Sequence, residues 1–134
     1  MRISDAVWES LVAHAREEAP NECCGLLVGS GALEIIEDSV RTRNLESSPT
    51  RFRVDPQEHI ALNRRLRPTS QRVIGAYHSH PLSPARPSPS DNAEAFYPEF
   101  IYLIVSLAAP NAPEINAYRL VERNLEPVQL VRVP

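Results

Sequence analysis

The stretch Val73-Ile74-Gly75-Ala76-Tyr77-His78-Ser79-His80-Pro81 decides the reading of this chain, together with Ser88-Pro89-Ser90-Asp91 a short loop further on. Its first part is apolar and rich in β-formers, so residues 71–78 are expected to form a core strand. His78 and His80 stand two apart at the end of that strand. Residues i and i+2 share a face, so both imidazoles are able to point at one ion. Pro81 ends the strand and leaves the pair at its mouth. Two imidazoles and the Asp91 carboxylate at this spacing suit one zinc ion with a fourth position left for water. An open position of that kind is the arrangement of a hydrolase.

Each part also has a plainer meaning. A His-x-His pair alone fits two surface histidines. Ser88-x-x-Asp91 alone is a capping box, with Ser88 on the Asp91 amide and Asp91 reaching back. The two meanings are compatible, because a capped helix start is a rigid mount that is able to aim Asp91 at the histidines. Prolines at 81, 84, 87 and 89 stiffen the intervening loop and lower the entropy lost on ordering it. Glu22 opens a second apolar run, Cys23-Cys24-Gly25-Leu26-Leu27-Val28. Alone it reads as a solvated strand edge. Hydrolysis at a metal, however, needs a base that takes a proton from water and passes it to the leaving amine, and Glu22 is the best candidate by context.

The remaining pattern places these residues in an α/β layered domain, with a mixed or largely antiparallel sheet flanked by helices. Ser4 caps a helix over about 5–18 with Trp8, Leu11, Val12 and Ala15 as its apolar stripe. Residues 23–28 read as a buried strand, Gly29-Ser30-Gly31 as a turn, and Leu33–Val40 as a second strand. Arg41–Pro49 reads as a loop and Thr50–Val54 as a short extended run. Asp55-Pro56-Gln57-Glu58 opens a helix that should turn Ile60, Leu62 and Leu66 inward and stop near Pro68. A short helix from Ser88 ends before Pro98. Phe100–Leu107, Ile115–Val121 and Val128–Val133 complete the strands.

The 134 residues suit one domain spanning 1–134, with an ordinary apolar content of 43%. A domain this size needs no metal as a staple, so a zinc ion would be there to work. No apolar run reaches the length of a membrane span, and the first residues lack a signal peptide's apolar stretch. A cytoplasmic protein without a membrane partner is therefore expected. The net charge of −3 argues against general nucleic-acid binding. Cys23 and Cys24 are adjacent and are expected to be reduced, buried thiols. All fourteen basic residues are arginine. Either base composition of the genome or an enzyme that cuts bonds to lysine and carries no acceptor itself would produce that bias.

Taken together, Glu22, His78-Ser79-His80-Pro81, Ser88 and Asp91 resemble the JAMM motif of the MPN+ (Mov34/MPN/PAD-1) zinc metalloproteases. Glu22–Gly29 is similar to that family's first strand, and Arg51-Phe52 with Val54-Asp55-Pro56 to the segment entering its central helix. The resemblance spans about residues 1–120 with no departure at a motif position. It implies the MPN, cytidine-deaminase-like α/β sandwich. It also implies one zinc ion per chain held by His78, His80 and Asp91, Glu22 as general acid/base, and Ser88 as the donor that steadies the tetrahedral oxyanion. The substrate class it implies is the amide or isopeptide bond after the C-terminal Gly-Gly of a ubiquitin-like β-grasp protein. Short turns leave no room for the loops that grip a second ubiquitin, so a small prokaryotic enzyme with little linkage selectivity is expected. The Glu-Cys-Cys-Gly-Leu-Leu form resembles the bacterial branch acting on sulfur-carrier proteins, that of the CysO-cysteine peptidases. Two other readings stand beside it: a non-catalytic MPN scaffold that only binds partners, and a DNA-associated role like that of RadC relatives.

Overall fold

The computed structural model describes residues 1–30 and 34–134. In chain order the elements are β1 (Arg2–Ser4), α1 (Asp5–Glu18), β2 (Cys24–Gly29), β3 (Ile35–Ile36), β4 (Asp38–Thr42), α2 (Pro56–Leu66), β5 (Arg72–His80), α3 (Pro89–Glu94), β6 (Ile101–Ser106), β7 (Glu114–Val121), β8 (Asn124–Val128) and β9 (Val131–Val133). Six strands form the main sheet in the order β4-β2-β5-β6-β7-β8. Within it β5 and β6 run parallel and every other neighbouring pair is antiparallel. The expected mixed sheet with flanking helices is therefore present. A second sheet, β3-β1-β9, is parallel and ties the two ends of the chain together.

Alternation along the central strands divides the interior into two faces. Leu27, Tyr77, Leu103 and Val105 turn toward α1, where they pack with Val7, Leu11, Val12 and Ile3. Leu26, Val28 and Val73 turn the other way and pack against Leu62 and Leu66 of α2. A third cluster, Ile104, Tyr118, Leu125 and Ala85, lies on that same side. Two glycines are required by close approach. A Cβ on Gly75 would fall on the Ile101 carbonyl where β5 meets β6. A Cβ on Gly25 would overlap the Tyr77 ring, which crosses β2 there. The Tyr77 hydroxyl reaches His14 Nδ1 at 2.8 Å, which pins α1 to β5 one residue before His78.

Several expectations change in detail. Helix α1 has the expected bounds, with Ser4 Oγ accepting from Val7 N at 3.2 Å. Ile60 is 53% exposed, so α2 buries Leu62 and Leu66 but not Ile60. Thr50–Val54 is not a strand, and only Val54 makes a bridge, to Asn44. The second strand is split into β3 and β4; Gly31 of the expected turn and Leu33 at the expected strand start lie outside the described residues. The single closing strand over 128–133 is in fact the end of β8 and all of β9, in different sheets. The hairpin between β7 and β8 turns at Glu122-Arg123 with Glu122 at φ 59°. That left-handed position usually calls for Gly or Asn, so the turn carries no local signal. No helix among the described residues is long and apolar enough to cross a membrane.

Candidate metal centre

The site is built at the C-terminal end of β5. His78 and His80 share the face that looks toward α2 and α3, opposite Ile104 and Ser106 of β6. The proline-rich loop after them is held down on its neighbours. Ser106 Oγ donates to the Ser83 carbonyl at 2.7 Å, and the Tyr118 hydroxyl donates to the Ala85 carbonyl at 2.5 Å. Ala85 is fully buried. The loop thus returns to β5 and delivers α3, whose capping box is the one read from the sequence. Asp91 N donates to Ser88 Oγ at 3.1 Å, and Ser88 N donates to Asp91 Oδ2 at 2.9 Å.

Asp91 is thereby aimed at the two histidines. His78 Nε2 lies 3.1 Å from Asp91 Oδ1, His80 Nε2 lies 3.1 Å from Asp91 Oδ2, and the two Nε2 atoms are 3.2 Å apart. All three side chains are buried. His80 Nδ1 faces the Pro84 carbonyl at 2.8 Å. A carbonyl only accepts, so Nδ1 carries the hydrogen and neutral His80 presents its Nε2 lone pair to the centre. Burial would raise the Asp91 carboxyl, but hydrogen bonds with the two imidazoles hold it well below the usual range. Burial lowers His78 against the pull of Asp91. It acts on His80 in the same sense, but bonding to Asp91 and to Pro84 outweighs it, and His80 is raised.

The donor set fits a zinc ion. Ligand atoms about 2.0–2.1 Å from a tetrahedral zinc are about 3.3–3.4 Å from one another, close to the separations found here. Two imidazole nitrogens that converge in a buried site also call for a cation or a proton between them. Among the described residues, His78, His80 and Asp91 are the one cluster of histidine, cysteine and acidic groups close enough to hold an ion.

Glu22 is placed beside this cluster by strand pairing. Cys24 faces His78 in the β2–β5 register, and Ser79 N donates to the Cys23 carbonyl at 3.0 Å. Continued by two residues, that register sets Glu22 opposite His80. Glu22 is 5% exposed and its Oε1 has no hydrogen-bond partner. Burial pushes its carboxyl up to about 7; His80 opposes that rise and Asp91 and Glu94 add to it. Cys24 also lies near, but burial pushes its thiol up to about 11 and that of Cys23 up to about 12, so neither is a nucleophile at neutral pH.

Three contributors escape the sequence pattern. Phe52 stacks on the His78 ring, centroids 4.1 Å apart and planes 13° apart. Its signal is weak: one aromatic between two arginines in a polar loop. The Pro84 carbonyl that orients His80 is a backbone group and leaves no signal. The Asn44 amide, described below, looks like any turn asparagine. Beside His78 and Asp91 opens a cavity of about 420 Å³ lined by Phe52, Val54, His59, Phe100, Tyr102 and Leu125.

Residues 4–121 match the family model described as prokaryotic homologs of the JAB domain. The chain is 35% identical over 124 residues to the CysO-cysteine peptidase of Mycobacterium tuberculosis, covering 91% of this chain and 85% of that protein. It is 32% identical over 103 residues to the desampylase of Haloferax volcanii, covering 73% of this chain and 74% of that protein. The solution structure of protein DSY2949 from Desulfitobacterium hafniense superposes with a TM-score of 0.89 at 34% identity, covering 98% of this chain and 92% of that one. The JAB1/MPN domain protein AF2198 from Archaeoglobus fulgidus shares the fold, with a TM-score of 0.67 at 23% identity and full coverage of both chains, 100% each.

Proposed function

The chain belongs to the family of prokaryotic homologs of the JAB domain, and on that premise we propose that it is a zinc metallopeptidase. Its substrate would be the amide or isopeptide bond after the C-terminal Gly-Gly of a ubiquitin-like or sulfur-carrier protein. The observation that carries the reading is the convergence of His78 Nε2, His80 Nε2 and both Asp91 oxygens, next to a buried glutamate with an unpaired oxygen. Relatives named as a CysO-cysteine peptidase and a desampylase support peptidase chemistry and a carrier-type substrate.

In this reading His78, His80 and Asp91 hold the ion, which when bound supplies Lewis acidity toward the scissile carbonyl and the attacking water. Glu22 takes the proton of that water on Oε1 and returns it to the leaving amine. A carboxyl raised to about 7 is suited to both transfers near neutral pH, because it accepts and releases a proton at little cost. Ser88 donates its hydroxyl hydrogen to the oxyanion. The cap does not prevent this, since Ser88 Oγ accepts from Asp91 N there; its own hydrogen is not used by the cap, and substrate would compete for it with Ser90 Oγ, 3.0 Å away. The loop before α2 offers the substrate a place to lie. Asn44 and Leu45 take the backbone bonds of Arg51 and Arg53 on either side of Phe52. An extended tail would pair there, beside the aromatic cavity. Glycine at the two terminal positions would let that tail pass close to the ligands.

The test is cleavage of carrier–cysteine and carrier–lysine conjugates by the zinc-loaded protein. Glu22→Gln should keep its zinc and lose about 10²–10⁴-fold in rate. Full activity in that variant would refute the assignment, and a wild-type protein that binds zinc but cleaves nothing would favour a scaffold. A carrier ending in Ala-Ala should be cut far more slowly than one ending in Gly-Gly.

A further inference from the structure

Asn44 lies two residues beyond the end of β4, in the loop that leads to Phe52. Its side-chain amide uses its full hydrogen-bonding capacity. Nδ2 donates to the Glu22 carbonyl at 3.0 Å and to the Arg51 carbonyl at 3.0 Å. Oδ1 accepts from Glu46 N at 3.0 Å and from Arg53 N at 3.0 Å. The turn that follows is held on the same residue: Ser47, at φ 46°, donates through its N–H to the Asn44 carbonyl at 3.2 Å. That turn also carries Ser48, whose carbonyl accepts the Glu22 N–H at 2.8 Å. Both backbone groups of Glu22 are therefore held by Asn44 and its turn.

The other grip is on the segment that carries Phe52. Arg51 and Arg53 flank Phe52, and Phe52 is the ring stacked on His78. One amide thus connects the residue read as the base with the aromatic surface behind a metal-facing imidazole. A turn asparagine ordinarily uses only its oxygen, bonding backbone N–H groups a few residues on. The bond from Oδ1 to Glu46 N, two residues on, is of that kind, whereas the one to Arg53 N, nine residues on, already ties down the segment that carries Phe52. The two made by Nδ2 reach across to carbonyls 22 and 7 residues away in sequence, and the turn itself does not need them.

We propose that Asn44 is a positioning residue of the centre, whose amide clamps the Glu22 backbone and the Phe52 segment into one rigid unit. Its catalytic consequence rests on the peptidase reading above; the clamp itself does not. A misplacement of the base by about 1 Å is enough to cost about 100-fold in rate without weakening substrate binding.

The clamp is separated from the turn by Asn44→Asp. Aspartate keeps an oxygen for Glu46 N and Arg53 N but has no hydrogen for the Glu22 and Arg51 carbonyls. Asn44→Ala removes all four bonds and serves as the comparison; should it fail to fold, Asn44→Asp carries the test alone. In Asn44→Asp, amide hydrogen exchange is expected to quicken in residues 21–24 and 50–54 together, with β6 and β7 unchanged. On carrier conjugates, kcat is expected to fall about 10–100-fold, with KM within about twofold and zinc per chain unchanged. Parental exchange in either segment overturns the clamp, whatever the activity. Parental kcat, or a loss of kcat fully matched by loss of zinc, overturns its positioning role. If wild type cleaves nothing, or Glu22→Gln stays active, it is the peptidase reading that fails, and the exchange measurement still decides the clamp.

Discussion

Glu22 is where a single residue works against the stability of the fold. Its Oε1 is buried without a partner, and burial moves its carboxyl from the ordinary 4.5 to about 7. The folded chain then binds a proton more tightly than the unfolded chain does. Between those two values the unfolded state loses its proton first, so stability falls as pH rises and levels off above about 7. Glutamine at this position has no charge to bury. In metal-stripped protein, Glu22→Gln should therefore melt higher than wild type at pH 8, and the difference should shrink toward zero near pH 4.5. Thermal melts at several pH values decide this, and a difference independent of pH would mean that the carboxyl is not desolvated. A cation held by His78, His80 and Asp91 would offset this cost by its positive charge. A residue costly to the bare fold and useful to a loaded centre is the pattern expected of a functional site.

At the scale of elements, α3 is short and depends on its first turn. Its cap and the carboxylate that faces the two histidines are the same constellation: Ser88 Oγ holds the Asp91 amide, while the Ser88 backbone N–H holds Asp91 Oδ2. Replacing the side chain removes the first bond and leaves the second. Ser88→Ala should accordingly lose about 1 kcal/mol of stability yet keep its zinc, because the carboxylate stays aimed. Its kcat should drop about 10²–10³-fold if the hydroxyl also serves the oxyanion. Zinc analysis, melting and steady-state kinetics on the one variant check all three, and loss of metal would show that the cap, not the backbone bond, orients Asp91. Strand β5 makes a comparable compromise. Gly75 and the small Ala76 allow tight packing on β6 and leave the bulk of the site to residues brought from elsewhere, Phe52 among them.

For the whole molecule, apolar clusters cover both faces of the main sheet. The centre sits at the rim of a sheet that is packed on both faces without it. A chelator should then abolish cleavage and lower the melting temperature, since zinc bound only by the folded state stabilises it by mass action. It should leave the far-ultraviolet circular dichroism unchanged at 25 °C. Unfolding on chelation would show the ion to be structural instead. Activity should also fall in acid, where protonated imidazoles no longer bind metal.

How far the sequence reaches follows from the range of the interactions. Helix α1 and its cap, the capping box of α3 and the strand that ends in His78 and His80 are legible because each depends on residues a few positions apart, whereas the convergence of that pair with Asp91 also needs Ser106 and Tyr118 to hold the intervening loop. Rotamers, caps and proline stiffness act locally, and the spacing records them. The family resemblance extends that reading to Glu22. Its actual neighbourhood depends on the β2–β5 register, a pairing of segments more than fifty residues apart, and nothing in either segment alone encodes it. Only the folded chain decides that Asn44 faces Glu22, that Phe52 lies on His78, and that residues 124–133 divide between two sheets. An asparagine in a polar loop and a hairpin without glycine carry the same local signals whether or not they are used. What selects among their conformations is the packing of distant elements, which exists only once the sheet has formed.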